Sequence, residues 1–390
     1  MPPDIPASSD IPANSDKSAD APEKKKRRST IPRWARICVI VGAVLMVASG
    51  GLIVTSQALL ARYEGAVTTE DLFGEGTDVE PKSDIKGPLN ILLVGIDPRE
   101  EKQLPLADSI MIMHIPAGLD RGYLFSLPRD LVVEIPPFPK AGFDGGRDRL
   151  NSAMARGSRV PGGSTPDRAR GFELLSNTVS RYTGIERFDA GAIVNFNGFK
   201  KIVDAMGGVT MTVDQDVVYS EHMTPDGKHR PNNGCGCEHP YYGPQAKYTK
   251  GTHTFSGWQA LDYVRQRYTV KDGDYGRQRH QQQFVKAMAQ QALSKDVLTD
   301  FPKLDRVIRA AGESLVFNGR GHSVAEFALA LRGMRQDSIT MVKLKGGTVR
   351  NSSGSYAGEA LQPEAKEFFA ALAAGTADAF IAANPDMVNR

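Results

Sequence analysis

Hydrophobic and polar positions change pattern three times along the chain. The first 36 residues, rich in Pro, Ser, Ala and Asp, show no apolar period and are expected to be disordered, because they bury too little surface to offset chain entropy. An uncharged run from Ile37 to Ala61 follows. Its centre, ICVIVGAVLMVASGGLIV, is long enough to cross ~30 Å of hydrocarbon as a helix. Residues 62–87 then form an acidic linker without apolar periodicity.

From residue 88 onward, short apolar runs alternate with helical patterns. Strands are expected at Leu89 to Ile96, Ser109 to Pro116, Tyr123 to Leu127, Leu131 to Ile135, Ala190 to Phe196, Val209 to Val213 and Ile339 to Leu344. Helices are expected at Asp167 to Tyr182, stopped by Gly184, and at Gly198 to Met206, Ser256 to Tyr263 and Gly276 to Leu293. Leu304 to Leu315, Val324 to Met334 and Pro363 to Ala382 carry helical patterns too. Short gaps between the strands predict a mixed sheet, and 88–390 reads as one α/β domain. Tyr219 to Lys250, full of His, Pro, Gly, Asn and Tyr, reads as a long functional or mobile loop.

The net charge of +3 is too small to argue for a nucleic-acid partner, but its placement is informative. Lys24, Lys25, Lys26, Arg27, Arg28, Arg33 and Arg36 precede the apolar run, whereas Glu64, Glu70, Asp71, Glu75, Asp78, Glu80 and Asp84 follow it beyond Arg62. The positive-inside bias therefore predicts a cytoplasmic tail over 1–36, a single-pass anchor in the cell membrane over 37–61, and an extracytoplasmic domain. A cleaved signal peptide is the rival reading, disfavoured by the long preceding tail and the length of the apolar run. Cys38 falls in the anchor, while Cys235 and Cys237 form a CGC in an exported loop, where a disulfide staple is expected.

Candidate chemistry lies at predicted strand ends. Asp97 follows the strand NILLVGI and Asp108 precedes SIMIMHIP, so a strand-loop-strand turn can bring both carboxylates to one sheet edge, where a cation relieves their repulsion. Mg²⁺ suits such a pair, since it takes one or two carboxylates plus phosphate and water; the alternative is that each Asp caps a turn. Arg99 and Arg129 sit at neighbouring edges, in IDPRE and SLPRD. In YVRQR, Arg265 and Arg267 point to the same side if the chain is extended there, and paired guanidiniums favour a phosphate-like anion. Asp274, Arg277, Arg279, His280, Gln281 and Gln282 follow at the next helix start.

The segments NILLVGIDPRE, ADSIMIMHI, SLPRDLVVEIP, DRLNSAMARG, FNGFKKIVDAMGGVTMTV, GTHTFSGWQALDYVRQR and DYGRQRHQQQF occur in one order. Together they resemble the LytR-CpsA-Psr family of wall glycopolymer ligases, from about Leu89 to Leu293. The resemblance implies that 88–390 is a catalytic α/β domain whose mixed central sheet, flanked by helices, bears an apolar polyprenyl-binding groove. It implies phosphotransfer of a glycopolymer, arabinogalactan or teichoic-acid-like, from a polyprenyl-pyrophosphate carrier to a peptidoglycan hydroxyl; no nucleic-acid partner is expected, because the basic run is accounted for by its place beside the anchor. Asp97 and Asp108 match the Mg²⁺ carboxylates, with Mn²⁺ as a substitute ion. Arg99, Arg129, Arg265 and Arg267 match catalytic arginines around the pyrophosphate, with Asp274, Arg277 and Gln281 as further substrate-binding positions.

Phosphoryl transfer needs mainly positioning and charge neutralisation, which such residues supply. The proton acceptor stays open, with Asp97 as one candidate. The chain departs from the family at His280, where a second Arg is common, with Arg279 rotated by about 100° on a helix. Arg149 stands where Lys is frequent. A lipid-pyrophosphate hydrolase and a non-catalytic regulator that binds wall precursors are the competing readings.

Overall fold

The structure is a computed structural model that describes residues 67–75, 84–97, 100, 102–237, 240–292, 301–312, 315–334 and 338–389. The expected tail and anchor, Cys38, Arg99 and half of the acidic linker lie outside the described residues. Among the described residues, no helix is long and apolar enough to cross a membrane.

The strands are β1 (Thr68–Thr69), β2 (Leu89–Ile96), β3 (Ala107–Ile115), β4 (Gly122–Leu127), β5 (Val132–Ile135), β6 (Gly146–Arg149), β7 (Ala190–Asn195), β8 (Val209–Tyr219), β9 (Lys247–Phe255), β10 (Leu315–Asn318), β11 (Ile339–Val342), β12 (Gly346–Arg350) and β13 (Tyr356–Leu361). The helices are α1 (Leu150–Gly157), α2 (Arg168–Thr183), α3 (Phe196–Ala205), α4 (Gly257–Arg265), α5 (Gly273–Ala292), α6 (Phe301–Gly312), α7 (Val324–Ala330), α8 (Pro363–Ala373) and α9 (Ala377–Ala383). Seven strands form the expected mixed sheet in the order β1-β10-β7-β2-β3-β4-β11, with β2 and β7 parallel and β2, β3 and β4 antiparallel. β5-β6, β8-β9 and β12-β13 are separate two-stranded hairpins.

Alternation along the strands divides the apolar residues between two faces. Leu92, Val94, Ile110, Ile112 and Phe125 pack with Met154, Phe172, Leu175 and Phe368 from α1, α2 and α8. Met111, Met113 and Leu124 point the other way, toward Phe327 of α7, and are joined by half-buried Ile91, Leu93, Val285 and Ala289. With both faces covered, β2 and β3 read as nearly continuous apolar runs.

Several expected boundaries shift. The helical pattern of Leu304 to Leu315 ends at Gly312, and Leu315 opens β10. Pro363 to Ala382 splits into two helices because Gly375 takes a left-handed φ of 68°, a conformation that stops a helix. β8 runs on to Tyr219, and the expected loop loses its last residues to β9. The sequence KYTKGTHTF hid that strand, because its outward face is polar: Thr210 bonds Thr254 and Thr212 bonds Thr252 across the ladder. Within the remaining loop, Arg230 donates to the carbonyls of Glu221, Tyr241 and Gly243, and Cys235 is disulfide-bonded to Cys237.

The crossing of α1 and α2 braces the strand end that carries Arg129. Gly157 and Gly171 let the helices meet closely: a Cβ on Gly171 would overlap Ser158 Oγ and Met154 O. The start of α1 is held in turn by Asn151 N donating to Arg129 O at 2.9 Å and Leu150 N to Leu131 O at 2.8 Å. Gly171→Val is therefore expected to destabilise the domain by about 1–3 kcal/mol, the usual cost of overpacking, read as a lower midpoint in chemical denaturation.

Candidate functional site

β2 and β3 pair Gly95 with Ser109 and then Ile96 with Ala107, which leaves Asp108 as the extra residue of a bulge inside β3 rather than ahead of it. A bulge re-aims a side chain, and Asp97 leaves β2 at the same end of the sheet. Arg129 stands two residues beyond β4 and donates from Nη1 to Asp108 Oδ1 at 2.7 Å, with Nε 3.7 Å from Asp130 Oδ2. Burial works against its charge, but Asp130, Asp108 and Asp274 outweigh burial and raise its pKa.

α4 ends at Arg265, and Gln266 continues in extended conformation at φ −61°, ψ 133°. Gln266 is buried, its Nε2 donating to Asp262 O and Oδ1 at 2.8 and 2.9 Å and its Oε1 accepting from Glu221 N. Arg265 and Arg267 thus flank an inward-pointing residue and stay half-buried, in line with the extended reading of YVRQR. Arg265 Nη2 lies 3.7 Å from Asp97 Oδ2, and Arg267 lies over the Tyr268 ring at 5.2 Å.

On α5, Arg277 Nη2 is 2.5 Å from Asp274 Oδ1, and Asp274 Oδ2 accepts from Gln278. Burial lowers the Arg277 pKa; Asp274 opposes this, while Arg129 and Arg267 push it further down. Such mutual repulsion is relieved by an anion, and among the described residues the buried Nε atoms of Arg129 and Arg277 have no hydrogen-bond partner. Gln281 Oε1 accepts from Ser109 Oγ at 3.0 Å, which pins α5 beside Asp108.

The neighbouring positions face away. Arg279 Nε donates to Asp214 Oδ2 at 2.7 Å, and His280 Nε2 lies 3.3 Å from Asp214 Oδ1. His280 is fully buried and stacks on Tyr263 with centroids 4.3 Å apart, so position 280 serves packing instead of phosphate contact. Burial lowers its pKa against the pull of Asp214 and keeps the ring neutral at neutral pH. For Asp214, burial is outweighed by His280 and Arg279, and its pKa falls to about 2. Sequence alone singles out neither Asp130 nor Asp214. Asp130 carries the signal of standing next to Arg129, but Asp214, on a strand far from α5 in sequence, carries none.

No group of three or more His, Cys, Asp or Glu positioned to hold a metal occurs among the described residues. Asp97 and Asp108 are each about a quarter exposed, at 27% and 29%, and already face a guanidinium. Two such carboxylates fit Mg²⁺ bound partly through substrate phosphate and water, but do not make an all-protein cage.

A mixed-sheet α/β domain with guanidiniums and carboxylates interleaved at one sheet edge is the class that this arrangement defines. The chain belongs to the LytR_cpsA_psr family, which it matches over residues 57–374. It is 27% identical over 310 residues to Biofilm regulatory protein A of Streptococcus mutans, covering 78% of this chain and 68% of that protein. It is 26% identical over 257 residues to the polyisoprenyl-teichoic acid–peptidoglycan teichoic acid transferase TagU of Enterococcus faecalis, covering 65% and 70%. Among solved structures, TagT bound to LI-WTA shares the fold with a TM-score of 0.52 at 22% identity, over 77% of this chain and 96% of that one.

The Asp214 contacts carry a pH dependence. Its carboxyl ionises near 2 in the fold and near ~3.9 when unfolded, so its contribution to stability is full above the unfolded value and vanishes as pH falls through the folded one. Asp214→Asn is expected to lower the melting temperature at pH 7, and the gap from wild type should close as circular-dichroism melts are carried from about pH 4 to about pH 2.

Proposed function

We propose that the chain is a membrane-anchored phosphotransferase that moves a glycopolymer phosphate from a polyprenyl-pyrophosphate carrier to a peptidoglycan hydroxyl. The observation that carries this reading is the gathering of Arg129, Arg265, Arg267 and Arg277 with Asp97, Asp108 and Asp274 at one sheet edge, in a relative of a named teichoic acid transferase. Four guanidiniums spread over strand ends and a helix can hold the oxygens of a pyrophosphate in a fixed orientation and neutralise the charge that develops as the phosphoryl group moves. Arg99 joins them in this reading. Asp97 and Asp108 hold Mg²⁺, with Mn²⁺ as a substitute, and the ion supplies further neutralisation of phosphate oxygens.

The half-buried Ile91 and Leu93 of β2, with Val285 and Ala289 of α5, offer an apolar bed for the prenyl chain that runs along both elements away from the charged edge. A cytoplasmic N-terminus and the 37–61 anchor keep the domain outside the cell, at the surface where such a carrier is presented. The polymer is arabinogalactan or a teichoic-acid-like chain. A relative named as a regulator favours a second reading, in which the site binds the carrier without turning it over.

Arg265→Ala and Arg267→Ala are expected to cut transfer from a radiolabelled lipid-linked donor to peptidoglycan by ~10²–10³-fold, as for loss of one charge stabiliser. Unchanged transfer by both variants defeats the proposal. Free phosphorylated glycan without wall attachment identifies a hydrolase, and donor binding without turnover under any divalent metal identifies the regulator.

A further inference from the structure

The C-terminal hairpin β12-β13 is stitched to the strand end that carries Arg129. Glu359 N donates to Asp130 O at 2.8 Å, and Leu131 bridges to Glu359. Gly358 passes so near that a Cβ there would lie 2.5 Å from Asp130 O. This places the half-buried Glu359 side chain beside α5: its Oε1 is 3.3 Å from the Tyr356 hydroxyl and its Oε2 3.5 Å from that of Tyr275, the residue after Asp274.

The carboxylates of this edge are not equivalent. Asp108 faces Arg129, Asp97 faces Arg265 and Asp274 faces Arg277, while Asp130 lies within 3.7 Å of Arg129 and 3.6 Å of Arg149. A guanidinium partner favours the ionised carboxylate and weakens it as a base. Among the described residues, Glu359 pairs with no guanidinium or ammonium. The groups facing it are the hydroxyls of Tyr275 and Tyr356, the charges of Asp274 and Asp130, and Arg149 behind the Tyr356 ring at 5.3 Å. Burial raises its pKa, the two hydroxyls oppose this, and repulsion from Asp274 and Asp130 adds to burial.

We propose that Glu359 is the base that takes the proton from the acceptor hydroxyl, an assignment that rests on the transfer reading. The O–H proton passes to the Glu359 carboxylate as the hydroxyl oxygen bonds to the glycan-side phosphorus. The bond from that phosphorus to the bridging oxygen breaks, and polyprenyl phosphate departs with the electron pair. The hairpin thereby contributes a reacting group from a segment far in sequence from the arginine motifs.

The test uses full-length chain in detergent, a synthetic polyprenyl-pyrophosphate disaccharide as donor, and either a chito-oligosaccharide or the more acidic trifluoroethanol as acceptor. Glu359→Gln is expected to lower kcat with the sugar by ~10²-fold or more, to lose the acid limb of the pH profile, and to bind donor within about two-fold of wild type. The loss should shrink with trifluoroethanol, whose proton needs less help. Glu359→Asp, which keeps the acid, should retain the acid limb at reduced kcat. A wild-type rate and acid limb in Glu359→Gln overturn the assignment, as do an equal loss with both acceptors or an acid limb missing from Glu359→Asp. A wild-type chain that transfers to neither acceptor overturns the transfer reading and this assignment with it.

Discussion

Four guanidiniums crowded at one sheet edge repel one another, and much of the surrounding structure serves to hold them there. Arg277 shows the repulsion most clearly, since burial, Arg129 and Arg267 all disfavour its charge, while Asp274 supports it by an ion pair and Asp108 by its charge. The interleaved carboxylates Asp97, Asp108, Asp130 and Asp274 match the four guanidiniums in formal charge and lower that cost. Left bare, the arginines would be driven into solvent; paired in this way, they still present N–H donors in fixed directions.

Each arginine is therefore fixed through its backbone or its neighbours. The bulge in β3 aims Asp108 at Arg129, and α1 grips the Arg129 carbonyl. Buried Gln266 sets the direction of both Arg265 and Arg267. Gln281 ties α5 to β3, and Arg279 and His280 tie the other side of α5 to Asp214 on β8. One helix thus meets the sheet with one face and the β8-β9 hairpin with another, and Arg277 has little room to retreat. Side chains held in this way need little reorganisation when charge moves, which is where a phosphoryl-transfer site draws its power.

The sheet divides its labour between faces. One carries the core formed with α1, α2 and α8; the other packs on α5 and α7 and leaves Ile91 and Leu93 half-buried. The donor proposed above, with a long hydrocarbon and a pyrophosphate head, would use both the apolar strip and the charged edge.

Local pattern was enough to determine the strands β2 to β5 and β7, the capped helix α2, and the shared direction of Arg265 and Arg267, because period and chain extension act over a few residues. The ordered motifs also carried the family resemblance that the match over residues 57–374 bears out. The tertiary structure alone decided that Asp108 is a bulge residue, that Arg279 and His280 turn to Asp214, that KYTKGTHTF is a strand, and that Glu359 comes to the arginine edge. The physical reason is common to all four: each depends on a partner chosen by long-range pairing and burial, and a half-polar strand or a lone carboxylate carries no local mark of the neighbour it will meet.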